Sequence, residues 1–158
     1  MAIDYSKLTN DASAAEILEA ASKLKSKKEK IELLQKYGNR ADFMYILRGA
    51  YANNIEWLVP DGPLPEGVVP SAAVSVDTAE DRLIRAFRQF QYLVEGGADV
   101  QQAKREEIYL NMYRSLYNSE ANLLHSIVNK KLPYKGITKA LIAEAFPTVW
   151  PKENKSES

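Results

Sequence analysis

The sequence SAAEILEAASKLKSKKEKIELLQKYG, residues 13–38, contains one helix-start signal twice. Ser13 is followed three residues later by Glu16, and Ser26 is followed in the same way by Glu29. This spacing is a capping box, in which the serine and glutamate side chains satisfy backbone groups that a helix leaves unpaired at its start. Apolar residues recur at helical spacing behind each signal. The stretch therefore predicts two short helices joined by a tight turn.

Helical signals continue through most of the remaining chain, where apolar residues recur with the helical period and polar caps precede them. The expected fold class is all-α: an irregular orthogonal bundle of about seven helices. The further helices are predicted over residues 40–54, from Asp77 to Gly97, after a cap at Asp99, after a cap at Ser119, and from about Thr138 to Phe146.

Residues 53–76 differ from their surroundings, because four prolines and two glycines exclude a regular helix there. Within this loop, GVVP (67–70) and AAVSV (72–76) are each compatible with a short strand, and Trp57 is expected to pin the loop to the core. We therefore expect one helical domain over residues 1–151 that contains a long Pro-rich loop. A disordered polar tail is expected over residues 152–158.

The composition is that of a soluble globular protein, with 46% hydrophobic and 27% charged residues. Lys and Arg total 21, as do Asp and Glu, which argues against strong non-specific nucleic-acid binding, although a neutral total can hide a basic face. The absence of cysteine excludes disulfides, thiolate catalysis and cysteine-based zinc sites. With no apolar leader and no apolar run of membrane length, a cytoplasmic location without membrane contact is expected.

No residue pattern typical of an enzyme is present. The chain has neither a Gly-rich phosphate loop nor a His-Glu-x-x-His pair. Glu106 and Glu107 are adjacent and would diverge on a helix. The single histidine, His125, lies on an amphipathic helix, where a structural role is more common than catalysis. The sequence therefore predicts a protein without catalytic activity, cofactor or metal.

Positive charge collects just before the last predicted helix. Residues 129–139, NKKLPYKGITK, carry four lysines. The first turn of a helix presents unpaired N–H groups and the positive end of the helix dipole, which favour a phosphate. Gly136 would allow a backbone to approach closely, and Thr138 would cap the helix or donate to a phosphate. A solvated loop with an ordinary cap explains the same residues, so both interpretations stay open.

Two rows of side chains elsewhere are also candidates for nucleic-acid contact. Arg82, Arg85 and Arg88 lie three apart and could follow a phosphate backbone, although ion pairs with neighbouring acids explain them as well. Tyrosines four apart over residues 109–117 could stack on bases. More commonly, tyrosines at that spacing are half-buried in the core with their hydroxyl groups exposed to water.

Two separated stretches resemble the N-terminal DNA-binding domain of ATP-dependent DNA ligases, in the form carried by tailed bacteriophages. The first, residues 17–60, runs through a helix, a Ser-Lys-rich cap, a second helix, a polar turn and a third helix, and then enters a Pro-containing loop. The second, residues 122–151, has a Leu-Leu pair, a basic step, a Gly followed by a small residue, and a short helix before Trp-Pro. The order and spacing of these features carry the resemblance.

The ligase domain is all-helical and grips duplex DNA across the minor groove, mainly through phosphates and without reading base sequence. The resemblance implies a stand-alone, phage-type DNA-binding protein in the host cytoplasm, with a main phosphate contact near the last helix and a lesser one at the first helical turnaround. The main contact would be Lys130, Lys131, Lys135, Gly136, Thr138 and Lys139, and the lesser one Lys27, Lys28 and Lys30.

Some features depart from the ligase pattern. A ligase continues into a nucleotidyltransferase domain whose nucleophile lies in Lys-x-Asp-Gly, whereas the Asp61-Gly62 pair here has no such lysine before it, so no ligase activity is expected. The neutral charge and Pro133 in the basic step also fit a free-standing DNA binder less well. The alternative is a protein–protein adaptor that reuses the fold to modulate a host or phage protein, with Trp57 and Leu64 contacting the partner.

Overall fold

The computed structural model describes residues 8–10, 12–52, 55–60 and 62–147. Within these residues the protein is built from helices, and the all-α prediction is confirmed. Two short 3₁₀ segments cover Val76–Thr78 and Phe87–Tyr92. The α-helices are α1 Ala14–Ser22, α2 Lys27–Lys36, α3 Ala41–Tyr51, α4 Leu83–Ala86, α5 Gln102–Ser115, α6 Asn118–Val128 and α7 Lys139–Ala145.

Both predicted capping boxes are present. The Ser13 N–H donates to Glu16 Oε1 at 2.9 Å, and the Ser13 hydroxyl oxygen accepts from the Glu16 amide. At the start of α2, the Ser26 N–H donates to Glu29 Oε1 at 3.3 Å and the Glu29 N–H donates to Ser26 Oγ at 3.1 Å. A side-chain cap stabilises a helix by about 1 kcal/mol, so the two boxes fix where α1 and α2 begin and keep the turn between them short.

The core forms where α1, α3 and α6 meet. α1 packs against α2, α3 and α6, while α2 also packs against α7, and α5 packs against α6. Phe43 on α3 is fully buried, as expected of a central helix, and truncating such a side chain typically costs about 3–5 kcal/mol. Burial rather than the propensity of short helices therefore holds the fold. The largest fully buried side chains include Ile17, Leu18, Leu33, Leu34, Phe43, Ile46, Leu47, Leu83, Leu93, Met112, Leu116 and Leu123.

The continuous helix predicted from Asp77 to Gly97 is wrong. That stretch is divided into a 3₁₀ turn, an extended segment, the four residues of α4 and a second 3₁₀ segment. The chain leaves helical geometry because distant groups bind its amides. The Asp81 N–H donates to the Ser115 carbonyl at 2.9 Å, and the Leu83 N–H donates to Glu120 Oε1 at 3.1 Å. Tertiary hydrogen bonds here override the local helical pattern.

The caps predicted at Asp99 and Ser119 are also wrong. α5 begins at Gln102, so Asp99 lies too early, and α6 begins at Asn118, so Ser119 already lies inside the helix. Neither helix start has a side-chain cap bond. Packing against neighbouring elements therefore fixes these two starts, and a search for capping residues cannot find them.

The Pro-rich loop is pinned to the core by Trp57, as predicted. The Trp57 indole N–H donates to the Gly49 carbonyl at 2.8 Å, and the ring lies edge-to-face against Phe90 with centroids 5.4 Å apart. The strands suggested for residues 67–70 and 72–76 are absent, because no neighbouring strand runs beside them in the described part of the chain. The β pairing within the described ranges is one isolated antiparallel bridge between Trp57 and Val94.

The disorder expected over residues 152–158 concerns residues outside the described ranges. Among the residues that are described, no helix is both long enough and apolar enough to cross a membrane.

A buried carboxylate joins the starts of two helices to α6. Glu120 on α6 is 1% exposed. Its carboxylate accepts the Leu83 N–H at the start of α4 and a hydrogen bond from the Ser13 side chain at the start of α1. Burial raises the pKa of Glu120, while the Leu83 N–H and the nearby positive charge of Arg82 act in the opposite direction. Glu120 therefore caps the starts of both helices. Its ionised form lowers the stability of the folded state, because the charge is buried.

We expect Glu120→Gln to be at least as stable as the unmodified protein at neutral pH and to lose this advantage in mild acid. Because the folded-state pKa is raised, the stability that Glu120 contributes is present below its unfolded pKa and is lost as pH rises through the folded pKa. Glutamine keeps an acceptor for Leu83 and does not titrate. Urea unfolding at about pH 7 and about pH 4.5 measures the difference.

A second variant separates capping from charge at this position. Glu120→Ala removes the acceptor and should be less stable than Glu120→Gln by about 1–2 kcal/mol at both pH values, since neither side chain titrates. If Glu120→Gln were as unstable as Glu120→Ala at neutral pH, ionisation of Glu120 would be stabilising and the assigned sign would be wrong.

Candidate nucleic-acid interface

The fold brings parts of the two predicted phosphate contacts together, namely the start of α2 and the loop before α7. α2 packs against α7, and the loop that precedes α7 meets Lys30 of α2. Gly136 in this loop has φ +82°, and a Cβ added to it would lie 3.1 Å from Lys30 Cε. We name this surface the basic face. It consists of Lys27, Lys30, Gly136 and Thr138, which line one cleft, and of their neighbours in the chain Lys25, Lys28, Lys135 and Lys139.

A shallow cleft of about 210 Å³ runs between α2 and α7 on the basic face. Lys27, Lys30, Gly136 and Thr138 line it, together with Glu144 of α7. Lys27 Nζ lies 3.0 Å from Glu144 Oε1, and both side chains are more than half exposed. Exposed ion pairs of this kind contribute at most about 1 kcal/mol, so an incoming anion can compete with Glu144 for Lys27.

Several groups on the basic face are already bonded within the protein. Thr138 caps α7 as predicted, because its Oγ1 accepts the Leu141 N–H at 3.2 Å. Lys30 Nζ donates to the Leu24 carbonyl in the turn between α1 and α2. The cap satisfies one of the amides that a phosphate would use. The exposed lysines, rather than the amides of the helix start, are therefore the main source of attraction for an anion.

Lys130 is used inside the protein. It adopts φ +60°, and its ammonium donates to the carbonyls of Ala52 and Ile55 at 2.9 and 3.0 Å. Burial lowers the pKa of Lys130, and the positive charge of Lys139 lowers it further. The side chain thus links the end of α6 to the end of α3 instead of pointing freely into solvent.

Lys28, Lys131 and Lys135 are exposed, and within the described ranges none of them has an acidic partner. Lys25 has the same properties, and sequence reasoning did not select it. The signal was available, because Lys25 belongs to the run KLKSKKEK over residues 23–30, which contains five lysines. These side chains hold the uncompensated positive charge that an anionic partner would meet first.

The comparison with protein families gives one match. A family model covers residues 17–134, which is 118 of the 158 residues. The chain belongs to the family of unknown function DUF6433. The DUF6433 match includes Lys27 and Lys28 and ends at Tyr134, immediately before Lys135. No curated protein and no solved structure matches the chain.

The three candidate arginines occupy different environments. The Arg82 side chain is 11% exposed and pairs with Asp77 at 3.3 Å. Arg85 pairs with Asp81 at 3.3 Å, one helical turn away. Arg88 is exposed and lines a separate cleft, described below. None of the three lines the cleft between α2 and α7.

The tyrosine stripe of the DUF6433 chain packs into the core around His125. Tyr109 and Tyr113 are buried, and burial raises the pKa of both hydroxyls. The Tyr109 hydroxyl lies 2.6 Å from His125 Nδ1, and the Tyr113 hydroxyl donates to Asn122 Oδ1 at 3.2 Å. Their hydroxyls and faces are therefore occupied within the protein. No group of three or more acidic or histidine side chains in the described ranges could hold a metal ion.

Trp57 and Leu64, the residues predicted for a protein partner, lie in two different clefts. Trp57 lines a cleft of about 530 Å³, which we name the aromatic cleft. Three further rings line it, from Tyr45, Phe87 and Phe90. Leu64 is half-buried and lines a smaller cleft of about 140 Å³. The two residues therefore do not form one surface hollow.

Proposed function

We propose that this DUF6433 protein is non-catalytic and binds duplex DNA through its phosphates, without preference for base sequence. The observation that supports the proposal is the packing of α2 against α7, which brings the lysine-rich start of α2 beside a segment about 100 positions away that carries Lys135 and Lys139. The proposal also agrees with the resemblance to the DNA-binding domain of phage-type ligases.

The mechanism is charge neutralisation by side chains that are free to move. Lys25, Lys28 and Lys135 approach phosphates of the duplex, and each contact releases a condensed counterion. Lys27 exchanges its partner Glu144 for a phosphate at the rim of the cleft. Gly136, which has no side chain, leaves room for Lys30 and keeps the loop before α7 close to α2. None of these contacts reads a base edge, so binding is independent of sequence.

The acidic residues limit the strength of this binding. Glu144 lies in the cleft itself, and the chain as a whole has a formal net charge of zero. Long-range attraction of DNA is therefore weaker than for a basic protein, and affinity depends on a few local contacts. We expect measurable binding at low salt and weak binding at physiological salt.

The test is a titration of a labelled duplex of about 20 base pairs at 50 and 200 mM salt. If about four phosphates are neutralised, the affinity should fall roughly 100-fold over this range. Two unrelated sequences of equal length should bind with similar affinity. No binding at 50 mM salt, or an affinity that ignores salt, would contradict the proposal.

A protein–protein adaptor is the second candidate, and the Leu64 cleft favours it. Pro60, Pro63 and Pro65 stiffen the loop there, and Leu64 is presented against Tyr109 of α5. An adaptor would ignore DNA at physiological salt and would lose its partner when Leu64 is made polar. Trp57 is a poor choice for the same test, because its indole bond to Gly49 is part of the fold.

A further inference from the structure

One ring of the aromatic cleft, that of Tyr45, is exposed, while Trp57 and Phe87 are partly buried and Phe90 is buried. Tyr45 is 46% exposed, and its ring lies against Phe87 with centroids 5.7 Å apart. Trp57 and Phe90 complete the wall. A cleft of about 530 Å³ with such a lining has the size and character of a small-molecule site.

The cleft is already formed in the absence of a ligand. Trp57 is held by the bond from its indole N–H to the Gly49 carbonyl, at 2.8 Å, and by its edge-to-face contact with Phe90. The bridge between Trp57 and Val94 fixes the same wall from the other chain segment. Because Trp57 and Phe90 are immobilised on folding, this part of the wall needs no ordering when a ligand binds.

The charges beside the rings narrow the choice of ligand. Arg88 and Glu95 both line the cleft, both are exposed, and neither has an ion-pair partner in the part of the chain that the structure describes. A guanidinium matches a phosphate, and a carboxylate accepts from the exocyclic amine of a base. An apolar side chain of a protein partner would use neither charge. Stacking faces, a cation and an anion together fit a nucleotide.

The cleft also lies beside the segment that carries the basic face. Ile55 lines the cleft, and its carbonyl accepts the Lys130 ammonium at 3.0 Å. Lys130 in turn begins the stretch that leads through Lys135 to α7. Ile55 thus connects the wall of the aromatic cleft to the segment that leads to α7.

We propose that the aromatic cleft takes one unpaired nucleotide of a DNA strand, with the base stacked on Tyr45 and Phe87 and its phosphate bound by Arg88. This inference rests on the proposed function and adds a preference to it. The basic face binds any duplex, and the aromatic cleft favours a duplex that carries an unpaired base.

The test compares two duplexes that have the same number of phosphates. One carries a single extra unpaired adenine, and the other carries an abasic residue at the same place. The duplex with the base should bind about tenfold more tightly, which is the order expected of one stacked base. A 2-aminopurine at the unpaired position should lose fluorescence on binding, because the base moves into a stack.

Matched variants assign the preference to the cleft. Tyr45→Ala should abolish it and Tyr45→Phe should keep it, since only the ring face is needed. Arg88→Ala should weaken binding of the bulged duplex more than Arg114→Ala, which removes one exposed charge on α5. Unfolding midpoints of all four variants check that the fold is intact.

The outcomes separate this inference from the proposed function. Equal affinity for the two duplexes, with salt-dependent binding retained, overturns the nucleotide site and leaves duplex binding in place. If neither duplex binds, the duplex-binding proposal fails. The nucleotide site is then tested alone, by titrating deoxyadenosine monophosphate and following the indole NMR signal of Trp57. A change in the chemical shift of Trp57 that is absent in the Tyr45→Ala variant supports the nucleotide site. No shift, or an equal shift with benzyl alcohol, overturns it and favours a protein side chain as the occupant.

Discussion

Replacing Lys28 and Lys135 with glutamate in the same molecule is expected to lower the affinity for duplex DNA about 100-fold at a salt concentration near 0.1 M. The two lysines lie on different elements, the first turn of α2 and the loop before α7, and both are exposed without an acidic partner in the described residues. If α2 and the loop before α7 contact the same DNA molecule, the loss of the Lys28 contact and the loss of the Lys135 contact both weaken the same complex. The slope of log affinity against log salt should also become shallower by about two.

The control for this variant reverses two charges on α5. Lys104→Glu and Arg114→Glu change the net charge by the same amount, and both residues are exposed. The α5 variant should lose less than about threefold in affinity, because loss of long-range attraction alone is screened over about 10 Å at this salt concentration. Equal losses in the two double variants would mean that net charge, and not the basic face, decides binding.

Gly97→Ala is expected to destabilise the protein by about 3 kcal/mol. A Cβ on Gly97 would lie 2.1 Å from the Gln91 carbonyl oxygen and 2.9 Å from its carbonyl carbon. These are backbone atoms, and the same oxygen accepts the Ala98 N–H at 2.7 Å. Relief of the clash must therefore move the turn that carries Val94 and its bridge to Trp57. Urea unfolding measures the loss.

Gly67→Ala is the matched control for this substitution. Gly67 has φ +88° and no atom within 4 Å of an added Cβ, so only the left-handed backbone is penalised, by about 1 kcal/mol. Gly97→Ala should cost clearly more than Gly67→Ala. If it costs the same or less, the turn at residues 91–98 is soft and the aromatic cleft is not rigidly formed.

The parts of the fold that the sequence predicted correctly are those with local causes. The boxes at Ser13 and Ser26 and the cap at Thr138 join groups that are two or three residues apart, so spacing alone reveals them. The helix predicted from Asp77 failed because Ser115 and Glu120, far along the chain, bind the amides that the helix would have used. Local periodicity contains no information about such partners.

The candidate site likewise has features that are visible in the sequence and features that depend on tertiary contacts. Lysine runs are visible in the sequence, but only the packing of α2 against α7 in the folded chain brings the segments that carry them side by side. The ammonium of Lys130 is bound by carbonyls 75 and 78 residues away, so the sequence could not show that this lysine is engaged. The aromatic cleft was missed for the same reason, because Tyr45 and Phe87 belong to separate elements that meet only after folding.

The carboxylate of Glu120 sets a condition on folding during synthesis. A chain leaving the ribosome completes α1–α3 well before residue 120 has been made, and until then the Ser13 hydroxyl has no acceptor there and the start of α4 has no cap. Leu123 and Leu124, which fill the core from the same helix, arrive at the same time. The early segment therefore exposes apolar surface to the cell until α6 emerges, and this is the interval in which a nascent chain of this architecture depends most on protection from aggregation.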